Sequence, residues 1–509
     1  MPNSKSKILS LEDLSTKANN FKKDGNRIVL CHGTFDLLHA GHIRHLQSAR
    51  KEGDALFVTV TGDQYVNKGP GRPVFPEVLR AENIAALTCV DFVSINYSAT
   101  AVNILSKIKP DAYVKGSDYK NTSDDLTGNI IAEKNAVEAC GGEIVYTEDI
   151  TFSSSSLLNE YFGVFPTETQ EYLEKFRKNY SSDLIISKLR ALEGLDVLVI
   201  GDAIIDEYCY TVPLGQSAKG THLSVKYGSS ELFAGGALAV ANHIAGFVNS
   251  VTLVTGLGKK NNHEDFIRSK LATNVKPQFF YFEDAPTVVK RRFVDGDLNK
   301  LFEVYYYNEK PDFEALNQKV CPWLAQNASG FDMVCTPDFG DGFISSDMID
   351  QISSHAGFLV VNTQVNSGNR GYHAISRYPR ADFISLNGPE LRMATHNRFD
   401  PLETVAEAVA DNKQAKYFAV TLGSQGAILL DREQNKVHKA PVLSTKVLDR
   451  IGAGDTFLSL AGICLKGGLS GEIALFVASA AAALDVQVIC NRESTTPVNL
   501  FKYIATLLK

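Results

Sequence analysis

A chain of 509 residues exceeds the size at which a single hydrophobic core stops growing, so more than one domain is expected. Its 44% hydrophobic and 21% charged residues suit a globular protein, and a net charge of -7 leaves no basic footprint for nucleic acid. No apolar run approaches the roughly 20 residues of a membrane span, no apolar signal segment follows Met1-Pro2-Asn3-Ser4, and the 8 cysteines hold no C-x-x-C pair. The expectation is a cytoplasmic protein with reduced thiols, no membrane partner and no zinc.

Residues 1–24 read as an N-terminal extension. Beyond them, short apolar runs at 27–31, 55–60 and 112–115 predict buried strands. Between the runs Ile43, Leu46 and Ala49 recur at helical spacing, and Leu126, Ile130 and Val137 do so more loosely. This alternation predicts a doubly wound α/β domain with a parallel sheet over residues 25–163. Residues 164–194 turn charged and helical, with Glu168, Glu171, Glu174, Lys175 and Arg177, and read as a helical linker. A second alternation starts at residues 196–200 and predicts another doubly wound α/β domain over 195–509. The runs 225–227 and 302–307 predict strands outside that alternation, suited to a small β-lid.

Two motifs carry chemistry. In the first, Gly33-Thr34-Phe35-Asp36 follows a predicted strand, and His39-Ala40-Gly41-His42 opens a helix, where a parallel sheet places phosphates. Two imidazoles there suit nucleotidyl transfer, which requires orientation and neutralised charge on phosphorus rather than a covalent intermediate. In the second, Gly452-Ala453-Gly454-Asp455 opens an apolar helix. Its small residues let backbone N–H groups converge on a transferred phosphoryl group, and Asp455 stands where a base would deprotonate the acceptor hydroxyl.

Lys68-Gly69-Pro70-Gly71-Arg72-Pro73, Arg80, Val114-Lys115-Gly116-Ser117 and Ser153-Ser154-Ser155-Ser156 follow the first motif in order. With them, residues 25–163 resemble the cytidylyltransferase-like nucleotidyltransferases, and more closely the adenylyltransferase domain of bifunctional heptose kinase/adenylyltransferases. That resemblance implies a Rossmann-like fold in which His39 and His42 stabilise the transition state. It further implies that Lys68, Lys115, Ser153, Ser154 and Ser155 hold phosphates, that Gly33, Thr34 and Phe35 contact the nucleotide, and that Asp36 shapes the substrate side.

Residues 195–509 resemble the ribokinase-like (PfkB) sugar kinases. Asp202, Asp206, Gly235 and Gly236 match the sugar-side elements of that family. Asn387 and Glu390 match its N-x-x-E element, with Glu390 reaching magnesium through water, and Thr421, Gly423 and Gly426 match its nucleotide side. Departures fall on the acceptor pocket: Ala239 and His243 replace expected asparagines, and Asn362-Thr363-Gln364 replaces an Asp-Pro-Lys-like element. The order of the two domains also reverses that of the familiar heptose enzymes.

The resemblances together imply a bifunctional enzyme of nucleotide-sugar synthesis that uses ATP and Mg2+, forms an ADP-heptose-like product and dimerises through the lid. Two alternatives stay open: the same two reactions on another sugar or polyol with CTP as donor, and an active transferase joined to a non-catalytic sugar-binding module.

Overall fold

The computed structural model describes residues 4–66, 68–69, 71–116, 129–147 and 165–509. The chain divides into two compact units, one of Met1–Thr167 with Phe501–Lys509 and one of Glu168–Leu500.

Among the described residues the first unit has five parallel strands: β1 (Ile28–Gly33), β2 (Ala55–Thr61), β3 (Phe92–Asn96), β4 (Ala112–Gly116) and β5 (Glu143–Thr147), in the order β3-β2-β1-β4-β5. Successive side chains of a strand point to opposite faces, so β1 divides its apolar run between two cores. Val29 and Cys31 pack with Leu46 and Ile84 on one face, while Ile28 and Leu30 pack with Leu14, Ile104 and Val137 on the other. Covering both faces is what an all-parallel sheet requires. Residues read from sequence as an extension belong to this core. The helix Leu11–Lys23 buries Leu14 and Ala18, and its N-cap Ser10 accepts a hydrogen bond from the Asp13 amide at 3.1 Å. The strand order reverses at β1 and β4, which opens a crevice at the carboxyl ends of those strands.

The second unit contains β6 (Asp196–Ile200), β7 (Ala203–Gln216), β8 (Leu223–Gly236), β9 (Ser250–Gly258), β10 (Val275–Phe282), β11 (Val288–Val294) and β12 (Lys300–Tyr306). It continues with β13 (Met333–Asp338), β14 (Leu359–Thr363), β15 (Phe383–Asn387), β16 (Tyr417–Thr421), β17 (Ala427–Asp431) and β18 (Lys436–Ala440). Nine of these form a sheet ordered β10-β9-β6-β13-β14-β15-β16-β17-β18, parallel except for the last two pairings. The other four form the lid, ordered β12-β11-β7-β8.

The charged segment read as a linker forms the helices Thr167–Asn179 and Ser182–Arg190. It packs into the second unit: Phe176 stacks on Phe476 with centroids 4.2 Å apart, and Tyr180 Oη donates to Glu472 at 3.0 Å. The last nine residues, which the sequence reading placed with the second domain, belong to the first unit.

Candidate active sites

In the first unit the chain leaves β1 at Gly33 and turns back through Phe35, whose φ of 49° is left-handed. A Cβ on Gly33 would stand 3.2 Å from the Phe35 ring, so any larger residue would press on that ring. Asp36 is buried, and its carboxylate accepts the amides of Val74 (2.8 Å) and Phe75 (3.0 Å), fastening the far side of the Arg72 loop. Arg80 is wholly buried beneath the turn. Its guanidinium donates to the carbonyls of Thr34, Phe75 and Thr61 and pairs with Asp63 at 2.6 Å. A buried cation satisfied on every side of its fork holds these segments in one arrangement.

His39 is the N-cap of the helix Ala40–Arg50, and its Nδ1 accepts the Gly41 amide at 3.1 Å. An accepting Nδ1 places the proton of the neutral ring on Nε2. That Nε2 is buried and has no hydrogen-bond partner among the described residues. Orphaned buried donors are rare, and one at the mouth of a strand–helix crevice suits an incoming phosphate oxygen. The His42 ring stacks on His39 at 4.1 Å between centroids and meets Phe35 edge-on at 5.4 Å. Burial, then the His39 ring and Lys68, push the His42 pKa down to about 3, and burial followed by Lys68 lowers that of His39. Both rings are therefore neutral donors near pH 7.

Lys68 stands close to this pair. Lys115 does not stand open: its ammonium pairs with buried Glu133 at 2.8 Å and lies over the Tyr113 ring. Ser153, Ser154 and Ser155 lie outside the described residues.

In the second unit the candidate residues gather at the carboxyl ends of β6, β13, β14 and β15. Gly452, left-handed at φ 101°, caps the helix Ala453–Lys466, so Ala453, Gly454 and Asp455 form its first turn. A Cβ on Gly452 would meet Asn491 Oδ1 at 2.5 Å, which makes glycine necessary there. Buried Asp455 accepts from Gln364 Nε2 at 3.0 Å. Burial first, then the fields of Asp485, Asp206 and Glu390, hold the Asp455 carboxyl well above the usual range, and Lys290 opposes them.

Asn387 and Glu390 close a reciprocal capping box at the end of β15, each side chain accepting the other's backbone amide at 2.8 Å. Glu390 also accepts the Val365 amide at 3.3 Å, one residue from Gln364, and burial pushes its pKa up to about 6. Thr421 ends β16, and Gly423 and Gly426 bound a short exposed turn in left-handed conformations.

The sugar-side residues are engaged with the protein itself. Asp202 accepts the amides of Phe343 (2.8 Å) and Phe339 (3.2 Å) and so organises the loop after β13. Asp206 pairs with buried Arg292, which also holds Glu303 at 3.0 Å. Gly235 is required because a Cβ would collide with the Asp206 carboxylate, and Gly236 because Asp202's carbonyl lies 2.5 Å from its Cβ position. His243 is buried between Thr495, whose amide donates to Nδ1 at 3.1 Å, and Thr456, whose hydroxyl lies 3.1 Å from Nε2. It ties the helix that carries Asp455 to Thr495. Asn362 Nδ2 donates to the Ser385 carbonyl at 2.7 Å between core strands.

Sequence reasoning met Gln364 only as the last residue of a departure from an Asp-Pro-Lys-like element and assigned no role to Lys290 or Arg292. The lysine and arginine alternate along β11, a polar spacing that marks one strand face and could have drawn notice.

Residues 195–497, more than half the chain, match the pfkB family carbohydrate kinase model, and residues 30–188 match the cytidylyltransferase-like model. The "Bifunctional protein HldE" of Methylobacillus flagellatus and that of Desulfatibacillum aliphaticivorans are each 39% identical over 152 residues. Each match spans 30% of this chain and 30% of the relative, so the chain matches under a third of their length. The Escherichia coli phosphofructokinase-2 structure in complex with fructose-6-phosphate covers 62% of this chain and 100% of its own. Its TM-score is 0.50 at 16% identity, a likeness of fold alone. The chain belongs to the pfkB family of carbohydrate kinases, and a cytidylyltransferase-like domain precedes its kinase fold.

Proposed function

We propose that this protein carries out two reactions of nucleotide-sugar synthesis: ATP-dependent phosphorylation of a sugar phosphate in the second unit and nucleotidyl transfer to a sugar 1-phosphate in the first, giving an ADP-heptose-like product. The observation that carries the reading is the pair of helix starts, one presenting the His39 Nε2–H, unpartnered among the described residues, and the other the buried carboxylate of Asp455.

In the transfer reaction a phosphate oxygen of the sugar 1-phosphate bonds to the nucleotide α-phosphorus as the bond to the bridging oxygen breaks and pyrophosphate leaves. His39 and His42 donate to the charge that grows on phosphorus, while Arg80 and Asp36 hold the surrounding loops. In the kinase reaction Asp455 takes the acceptor hydroxyl's proton as the oxygen attacks the γ-phosphorus, and the amides after Gly452 receive the developing charge. Burial and the neighbouring acids, which raise the Asp455 pKa, increase the proton affinity of its carboxylate and suit it to a base's role. Mg2+, when bound, would supply charge neutralisation for the triphosphate, and Glu390, buried beside the Gln364 segment, would be the protein's carboxylate toward it. The lid carries exposed apolar residues, Phe302, Val304 and Tyr227 among them, which supports its reading as a surface for a second copy of the chain.

The test is a matrix of ATP, CTP, GTP, UTP and dTTP against heptose 1-phosphate and other sugar or polyol phosphates, read as pyrophosphate release, beside sugar-dependent ADP formation. Turnover confined to ATP and heptose 1-phosphate supports the full reading. Turnover with another pair replaces the sugar and keeps the two reactions. ADP formation unchanged in Asp455→Asn would reduce the second unit to a binding module.

A further inference from the structure

Residues 364–374, which follow β14, form neither helix nor strand, so their backbone groups need other partners. Two asparagines supply them. Asn369 is buried and uses its whole hydrogen-bonding inventory. Its Nδ2 donates to the carbonyls of Gln364 (2.7 Å) and Phe339 (2.9 Å), and its Oδ1 accepts the amides of Asn366 (3.2 Å) and Gly371 (3.1 Å). Asn366 folds the same turn: Oδ1 accepts the amides of Gly368 (2.8 Å) and Asn369 (2.9 Å), and Nδ2 donates to the Phe339 carbonyl at 2.8 Å. The Phe339 amide in turn donates to Asp202 at 3.2 Å, so the loops after β13 and β14 are tied to the chain just beyond β6.

This knot bears on Gln364. The Gln364 amide donates to the Asp338 carbonyl at 2.9 Å, its carbonyl accepts from Asn369, and the next amide, of Val365, donates to Glu390 at 3.3 Å. A glutamine side chain is costly to order, and a backbone held on both sides fixes the root from which its amide reaches Asp455 Oδ1 at 3.0 Å. Asp455 is also faced by Asp485 from the helix Gly471–Asp485, Asp206 from β7, Glu390 from the helix Gly388–Thr395, the Cys335 thiol of β13 and Lys290 of β11. The acids and the thiol disfavour its ionised form; Lys290 and the Gln364 hydrogen bond favour it.

We propose that Asn369, with Asn366, is a positioning residue for phosphoryl transfer: by holding the Gln364 backbone it keeps that side chain's amide on the Asp455 carboxylate, in the geometry in which Asp455 takes the acceptor's proton. This rests on the kinase reading of the second unit. The action of Asn369 passes through Gln364, so a chain without the Gln364 amide leaves Asn369 nothing to transmit.

The experiment uses the full chain and an acceptor that it phosphorylates. Asn369→Ser is neutral and too short to reach the Gln364 carbonyl, so it loosens the knot without adding charge near Asp455. Its kcat for sugar-dependent ADP formation should fall about tenfold, with the KM for MgATP within about twofold of wild type. The acid limb of its pH profile should move to higher pH, because the lost hydrogen bond favoured ionised Asp455. In a Gln364→Leu background the same substitution should change neither kcat nor the limb. A limb unmoved by Asn369→Ser, or an additive loss in the Gln364→Leu background, would overturn the proposal. Binding of a non-hydrolysable ATP analogue checks that the variant is folded. Asn366→Ser, which removes one donor from the Phe339 carbonyl and keeps a turn-forming hydroxyl, is scored by the same two criteria if it is not. The infrared carbonyl band of protonated Asp455, identified by its absence in Asp455→Asn, decides the point without turnover. Titration of that band at higher pH in the serine variant upholds the positioning role even if no sugar is phosphorylated. Equal titration overturns it even if the kinase is active.

Discussion

Replacing His39 separates the two tasks that the structure gives it. Its Nδ1 caps the helix Ala40–Arg50 by accepting the Gly41 amide, while Nε2–H stands buried with no partner among the described residues. Asparagine is a good N-cap and keeps an acceptor near Nδ1, but it places nothing at Nε2. His39→Asn should therefore leave the melting temperature of the first unit within about 1 °C of wild type while pyrophosphate release falls roughly 10²–10³-fold, the effect of one lost preorganised donor. His39→Ala should lose the same rate and also the cap, about 1 kcal/mol, lowering the melting temperature by about 2–4 °C for a unit of this size. Both variants should keep sugar-dependent ADP formation, because Asp455 and its neighbours belong to the other unit. The assays are differential scanning calorimetry and coupled pyrophosphate and ADP detection on the same preparations. His39→Asn retaining transfer within about threefold of wild type would refute the reasoning, since a donor acting in the transition state contributes far more than that.

Burial holds His42 at about 3, so its protonation should leave no acid limb in kcat/KM for transfer near pH 6.5; a limb there that vanishes in His42→Gln would contradict a neutral His42 donor. Gln364→Leu removes the hydrogen bond that favours ionised Asp455, so the acid limb of the kinase pH profile should move to higher pH with kcat down about tenfold; an unmoved limb would show the contact to be idle. His243 is buried and its pKa is pushed down to about 4, so the unfolded chain binds a proton there first as pH falls below about 6.5. Stability from this group is full above that pH and is lost toward pH 4, by up to about 3 kcal/mol. Denaturant titrations of wild type and His243→Gln should therefore converge as pH falls from 7 to 4, and a constant gap would refute the assignment. Gly235→Ala should disrupt the Asp206–Arg292 pair and cost about 3 kcal/mol or more, read as a lower denaturation midpoint of the second unit.

The parts of each site that were readable in sequence are local ones. Gly33 through His42 carries strand end, turn and helix start in ten consecutive residues, and Gly452 through Asp455 carries a turn and helix start in four, so spacing alone conveys the geometry. The engagements of the charged residues were not readable. Lys115 is paired with Glu133, Asp202 accepts the amides of Phe339 and Phe343, and Asp206 is paired with Arg292, none of which the spacing of these residues shows. His243 reads as a changed acceptor pocket, yet its ring nitrogens are spent on Thr495 and Thr456, 252 and 213 residues away.

Alternating apolar periods and the small residues at strand–helix turns already specify two α/β domains and where each would meet a phosphate, because these depend on backbone conformation and on neighbours within a few residues. Which carboxylates are free, which cations are paired and which residues complete each site depend on contacts made only when distant segments close. Arg80 reaches Thr34 across 46 residues, Gln364 reaches Asp455 across 91, and Thr506 reaches Lys68 across 438. A hydrogen bond or ion pair falls off within a few ångströms, so no pattern along the chain records it until the fold brings its partners together.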